Sequence, residues 1–234
     1  MKRLGVCGIL CCLSTVMAFA GDVAAFKDIG FSADGTVYVF AEYGVTDKYF
    51  QGYGEIYAVD VEKNAYVPGG VFTTEPSQKT AGVNGGAVYN ELYERGKAFL
   101  APYNCEPVSA EQMLYVRGED AASADAEISF KDFRSIPEGE SPLTYSVKLV
   151  PHIEGSGASV ESSFFIVLEK KDGAGTVVER TVVGNPQIKR RGVSAYAIDR
   201  IFTDKSDKSL VFVVEKTLHD AQGSSIRYMV ETYR

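Results

Sequence analysis

Three stretches of the chain follow one pattern of polar and apolar positions. Thr36-Val37-Tyr38-Val39-Phe40-Ala41-Glu42, Ser163-Phe164-Phe165-Ile166-Val167-Leu168-Glu169 and Ser209-Leu210-Val211-Phe212-Val213-Val214-Glu215 each place a hydroxyl residue before five apolar ones and a glutamate after them. Five β-prone apolar residues in a row suit a strand covered on both faces, because successive side chains point to opposite sides of a sheet. Polar turns and a further β-rich run follow each. Extending this reading predicts strands at 26–31, 36–43, 54–61, 65–72, 126–133, 143–153, 160–170, 175–183, 194–202, 209–217 and 224–233.

One region breaks the pattern. Between Asn84 and Ala101, Val88, Leu92 and Phe99 recur with Tyr89, Tyr93 and Leu100 at helical spacing, and Pro102 supplies a stop. Ser109 and Gln112 then offer a capping box for a short second helix, although Met113-Leu114-Tyr115-Val116 reads equally well as a strand. The fold class expected is all-β with a helical insertion at about 84–116. Residues 117–126 and 134–142 read as loops.

The hairpins repeat. Gln51-Gly52-Tyr53-Gly54-Glu55-Ile56-Tyr57-Ala58-Val59-Asp60 aligns without gaps on Gln222-Gly223-Ser224-Ser225-Ile226-Arg227-Tyr228-Met229-Val230-Glu231, at an offset of 171. Asp28 with Asp199 and Phe31 with Phe202 keep that offset. The second and third apolar runs lie 46 residues apart, close to the roughly 40–45 residues of a propeller blade.

The first 20 residues stand outside the fold. Lys2 and Arg3 precede an uncharged run from Leu4 to Ala20, and Ala18-Phe19-Ala20 before Gly21 is a small-x-small cleavage site. That run of 17 residues is shorter than the roughly 20 a bilayer span needs. The expectation is a signal peptide over 1–20, a single β-rich domain over 21–234 with no integral membrane segment after cleavage, and a periplasmic or secreted location. The alternative is a lipid anchor through Cys12, although Cys11 stands where a lipobox has Gly, Ala or Ser.

Cleavage would leave Cys105 as the one cysteine, which rules out an internal disulfide and leaves apolar burial to stabilise the domain. Cys105 reads as a partly buried thiol rather than a nucleophile. Removing Lys2 and Arg3 takes 24 basic residues to 22 against 31 acidic ones, so the net charge moves from −7 to −9. Such a balance excludes a nucleic-acid partner, which calls for a basic face. Lys189-Arg190-Arg191 is the local exception. It reads as a solvated loop, with a small anion or acidic partner as the alternative.

A resemblance enters at the first repeat unit. Phe31-Ser32-Ala33-Asp34-Gly35 followed by an apolar strand, then Ile56-Tyr57-Ala58-Val59-Asp60, resembles one blade of the Tol-type and prolyl-oligopeptidase-type β-propellers. Ser32 and Asp34 can bond nearby backbone amides there, and Gly35 accepts positive φ. Ala33 replaces the proline of that pattern. The whole chain resembles a family of bacterial predicted secreted proteins of unknown function. The resemblance implies repeated antiparallel hairpins arranged in a propeller-like way. Length and the helical stretch keep a β-sandwich or curled antiparallel sheet as the alternative.

No HExxH helix, GxSxG elbow, P-loop or mature CxxC is present. His152 and His219 read as surface residues. Asp199, Asp204 and Asp207 lack the spacing of a calcium loop, and Gly82, Gly85 and Gly86 read as turn and helix-entry glycines. No catalytic residue, metal site or cofactor is expected. The binding candidates are Tyr43, Tyr49, Phe50 and Tyr53, whose rings suit protein or glycan contact. Cross-strand packing is the competing role for half of the tyrosines here. The function expected is a non-enzymatic binding or scaffold module of the cell envelope, its partner an envelope or extracellular protein or glycan. An envelope hydrolase built from dispersed carboxylates is the alternative.

Overall fold

The computed structural model describes residues 21–118, 127–132, 141–220 and 223–234. The leader with Cys7, Cys11 and Cys12 lies outside the described residues, as do the ends of the strand expected at 126–133 and most of both loops flanking it.

Strands β1 (Ala25–Phe31), β2 (Val37–Val45), β3 (Gly52–Asp60) and β4 (Ala65–Thr74) pair in that order as an antiparallel meander, the first sheet. Helix α1 (Gly85–Leu100) and strand β5 (Met113–Val116) follow. The third sheet holds β6 (Ile128–Lys131), β7 (Thr144–Glu154), β8 (Glu161–Lys171), β9 (Val177–Val183) and the two-residue β10 (Arg190–Arg191). Between them lies the second sheet, ordered β13-β12-β11-β5, from β11 (Val193–Thr203), β12 (Leu210–Asp220) and β13 (Gly223–Tyr233). Among the described residues every ladder is antiparallel and no sheet closes into a barrel. This is the all-β architecture with a helical insertion that the apolar pattern implied.

Three apolar layers hold the stack. On the outer face of the first sheet, Val37, Val39, Ala41, Ile56 and Ala58 pack on Leu92 and Leu100 of α1. Its inner face sets Tyr38, Phe40 and Val59 against Phe202, Val211 and Val213 of the second sheet. The far face of that sheet brings Phe212, Val214 and Ile198 onto Phe164, Ile166 and Leu168 of the third. β2 and β12 are therefore covered on both faces. β8 is covered on one only, because Phe165 and Val167 turn outward and stay half-buried. Full burial of one such side chain contributes about 1.5–3 kcal/mol, so the two sandwiched runs anchor the fold.

The local chemistry follows the sequence closely. Helix α1 buries Gly85, Val88, Leu92, Gly96 and Leu100, spaced three or four apart. Its Asn84 cap accepts the Gly86 N–H at 2.8 Å. Gly85 is required by contact, since a Cβ there would lie 2.7 Å from the Gly44 carbonyl oxygen. The capping box at Ser109 and Gln112 makes a single 3-10 turn, Ala110–Gln112, and the chain then enters β5. Gln112 Nε2 donates to the Thr203 carbonyl at 2.8 Å and guides Met113–Val116 onto β11, so a second helix does not form.

The Phe31–Gly35 turn is built as its residues imply. Ser32 Oγ accepts the Val37 N–H at 2.9 Å and donates to Asp34 Oδ1 at 2.6 Å, while Asp34 also accepts the Thr36 N–H. Gly35 has φ +68°. The residues related by the offset of 171 occupy matching places. Phe31 pairs with Tyr38 at the turn end of β1–β2, and Phe202 pairs with Val211 at the turn end of β11–β12. A bulge interrupts each ladder within a few pairs of that point, at Asp28/Gly30 and at Ile198/Arg200.

Candidate functional site

Two places on this scaffold carry chemistry that the core does not use. The first is the β2–β3 hairpin tip. β2 runs to Val45 and β3 starts at Gly52, so the loop is short and the four aromatic candidates divide between strand and tip. Tyr43 lies on the outer face and stacks on Tyr89 of α1, ring centroids 5.1 Å apart. Tyr53 lies on the inner face, 4 % exposed, with the Arg227 guanidinium 4.2 Å above its ring. Tyr49 and Phe50 remain outside, 54 % and 67 % exposed. The tip is held firmly. Phe50 N–H donates to the Thr46 carbonyl at 2.9 Å, and its own carbonyl accepts the Gly82 N–H at 2.7 Å. Gln51 bridges to Ala81. Phe50 sits at φ +50°, the left-handed region that a bulky side chain avoids.

The second place is a polar layer where the first two sheets meet, next to the aromatic core. Glu42 on β2 and Glu55 on β3 face each other across the ladder. Glu42 is 1 % exposed, and its Oε2 accepts the Tyr228 backbone N–H at 2.5 Å. Burial pushes its carboxyl up to about 7, against attraction from Lys216. Tyr57 donates its hydroxyl to Glu55. At the near end, Asp22 pairs with Arg227 at 2.8 Å, and the chain beside Asp22 bonds to Ile226 on the free edge of β13.

Beside this layer lies a cavity of about 450 Å³. Its walls come from all three sheets: Asn64 and Tyr66 from the β3–β4 hairpin, Ile188 and Arg190 from the approach to β10, and Lys216 and Glu231 from β12 and β13. Glu231 is fully engaged, with Asn64 donating to one oxygen and Arg190 lying 3.7 Å from the other. Arg190 also covers the Phe164 ring at 4.9 Å. Lys216 differs. Its ammonium makes no hydrogen bond or ion pair with any described residue. Burial draws it below the usual lysine range, and Arg190 and Arg227 add repulsion that Glu42 and Glu55 partly offset.

One family matches the sequence: predicted secreted protein (DUF2259), over residues 39–234, most of the chain. The chain belongs to this family. No curated protein and no solved structure matches it. The DUF2259 description supports export, and among the described residues no helix is long and apolar enough to cross a membrane.

In this DUF2259 chain the other residues singled out by sequence have ordinary settings. Exposed His152 bonds to Glu154 at 2.8 Å and exposed His219 to Ser224 at 2.9 Å. Cys105 packs beside the α1 cluster, and burial pushes its thiol up to about 11. Asp204 accepts the Lys208 and Ser209 amides and closes its own turn. Among the described residues, no group of three or more His, Cys, Asp or Glu is placed to hold a metal. Of the basic triplet, Lys189 and Arg191 pair at the surface with Glu154 and Glu161, whereas Arg190 turns into the cavity.

Sequence reading did not single out Lys216, Glu42 or Glu231. Glu42 was visible only as the terminal glutamate of the first apolar run. Its counterparts show how little that position decides: Glu215 pairs with Arg117, and Glu169 faces Lys171 and Arg180 at the surface. Burial of Glu42 comes from the second sheet folding over it, an event with no local signature.

Proposed function

We propose that this chain is an exported, non-enzymatic binding module of the cell envelope that contacts a protein partner through Tyr49 and Phe50. The carrying observation is Phe50, an exposed phenylalanine kept in a left-handed backbone conformation by a hydrogen-bonded tip. That conformation costs a non-glycine residue about 1–2 kcal/mol, and no intramolecular packing offsets it at 67 % exposure. Strain of this kind concentrates at functional positions. Lys48, 5.0 Å above the Tyr49 ring, adds a cation beside the aromatic pair. Tyr43 and Tyr53 brace the two strands that carry the tip.

The test is capture from envelope extracts of the native cell. The Phe50→Asn variant, whose side chain tolerates the left-handed region, should keep or gain stability and lose the captured protein. Undiminished capture by Phe50→Asn combined with Tyr49→Ser would overturn the assignment.

One observation favours the hydrolase reading, the facing carboxylates of Glu42 and Glu55. Glu42 is sealed from solvent and bonded to the Tyr228 amide, and Glu55 holds Tyr57. A general acid needs access to its substrate, so the binding reading stands ahead. The same reading takes β1–β3 and β11–β13 as copies of one blade-like unit, supported by their matched meanders and bulges.

A further inference from the structure

The geometry points to the cavity between the three sheets as a binding site for a small organic carboxylate with an apolar body, Lys216 supplying the counter-charge. This site is separate from the hairpin tip and does not depend on it.

Volume comes first. About 450 Å³ lies within the roughly 300–1,000 Å³ range of small-molecule sites, and apolar walls with a few fixed polar groups are the usual composition of such sites. Val59, Met229, Val230 and Ile188 supply the apolar surface, with the Tyr66 ring at one side, itself stacked on Tyr57 at 5.0 Å.

Charge decides the ligand's sign. Of the charged groups lining the cavity, Arg190 and Glu231 answer each other, and Asn64 completes the Glu231 shell. Glu42 and Glu55 attract Lys216 without bonding to it, their hydrogen bonds running to the Tyr228 amide and the Tyr57 hydroxyl. Lys216 is left with three donor hydrogens and no acceptor among the described residues. A half-buried ammonium without a hydrogen-bonded partner is short of acceptors, and a carboxylate entering the cavity would supply one. Desolvation lowers the proton affinity of Lys216, and an incoming negative charge would offset that loss. A cationic ligand would meet two cations and one already paired carboxylate. A phosphate would find Lys216 but no cluster of backbone amides of the kind that usually cradles it.

The exported protein is titrated by calorimetry with octanoate, octanamide, octylamine and inorganic phosphate. Octanoate should bind, with octanamide, octylamine and phosphate each weaker by about tenfold or more. Lys216→Met, which keeps the length of the stem, should lose octanoate affinity by about tenfold, and Lys216→Arg should retain it in part. A second measurement covers failure of Lys216→Met to fold: reductive methylation of the unaltered protein, read by peptide mass, should be suppressed at Lys216 by octanoate and not by octanamide. Absence of octanoate binding, equal binding of octanamide, or unprotected Lys216 in saturating octanoate overturns the proposal. Phosphate binding tighter than octanoate also overturns it, because the apolar walls would then play no part.

Discussion

The Glu42 carboxylate accepts the backbone N–H of Tyr228 at 2.5 Å, joining the end of β2 to β13 across 186 positions of sequence. The bond closes the polar layer between the first two sheets, with Glu55 on β3, Lys216 on β12 and Arg227 on β13 around it.

That arrangement makes stability depend on pH. Burial raises the folded-state value of Glu42 from 4.5 to about 7, so between those limits the folded chain holds a proton that the unfolded chain releases. Stability is then present in full below about 4.5 and falls as pH rises towards 7. Glu42→Gln, which keeps an acceptor for Tyr228, should remove this fall. Relative to the unaltered protein, the variant should gain on the order of 2 kcal/mol on going from pH 4.5 to pH 7.5, measured by urea unfolding. An unchanged pH profile would place the titration elsewhere.

The three apolar runs should respond differently to truncation. Phe212→Ala and Ile166→Ala remove side chains buried in the layer between the second and third sheets and should cost about 3–5 and 2–5 kcal/mol. Val39→Ala, under α1, should also destabilise measurably. Val167→Ala, on the half-open face of β8, should cost under about 1 kcal/mol. Equal losses at Val167 and Ile166 would mean that the outer face of β8 is covered in solution.

The aromatic candidates should separate in the same experiment. Tyr53→Ser empties a buried position beneath Arg227 and should destabilise by about 3 kcal/mol, as large-to-small core changes do. Tyr49→Ser, at an exposed position, should stay within about 0.5 kcal/mol. Similar losses at both would show the tip folded onto the body.

Intact-mass analysis of the protein recovered from its native cell should give Gly21 as the first residue, from the Ala18-Phe19-Ala20 site. The chain lies against β13 from Gly21 onward, with Asp22 pairing to Arg227. Diacylglycerol on Cys12 would replace the soluble exported form with an anchored one.

Local pattern was sufficient for most of the elements. The alternation and length of apolar runs located β1–β4, β6–β9 and β11–β13, and Val88, Leu92 and Leu100 marked the buried stripe of α1, because these signals arise within a few residues; β5 read equally as helix or strand, and the two-residue β10 read as a loop. The Phe31–Gly35 turn was legible for the same reason: Ser32, Asp34 and Gly35 bond and bend within one turn. The single helical turn at Ala110–Gln112 was not, since Thr203, 91 residues away, decides it.

What only the tertiary structure decided is which faces meet. The formula that ends in Glu42, Glu169 and Glu215 is one local pattern, yet its glutamates end buried, at the surface and ion-paired. Tyr43, Tyr49, Phe50 and Tyr53 form one aromatic cluster in sequence, and strand alternation sends two of them inward on opposite faces. Lys216 looks like an ordinary strand lysine until residues from three sheets line a cavity beside it. Secondary structure depends on neighbours along the chain, whereas the burial of a charge depends on what folds over it.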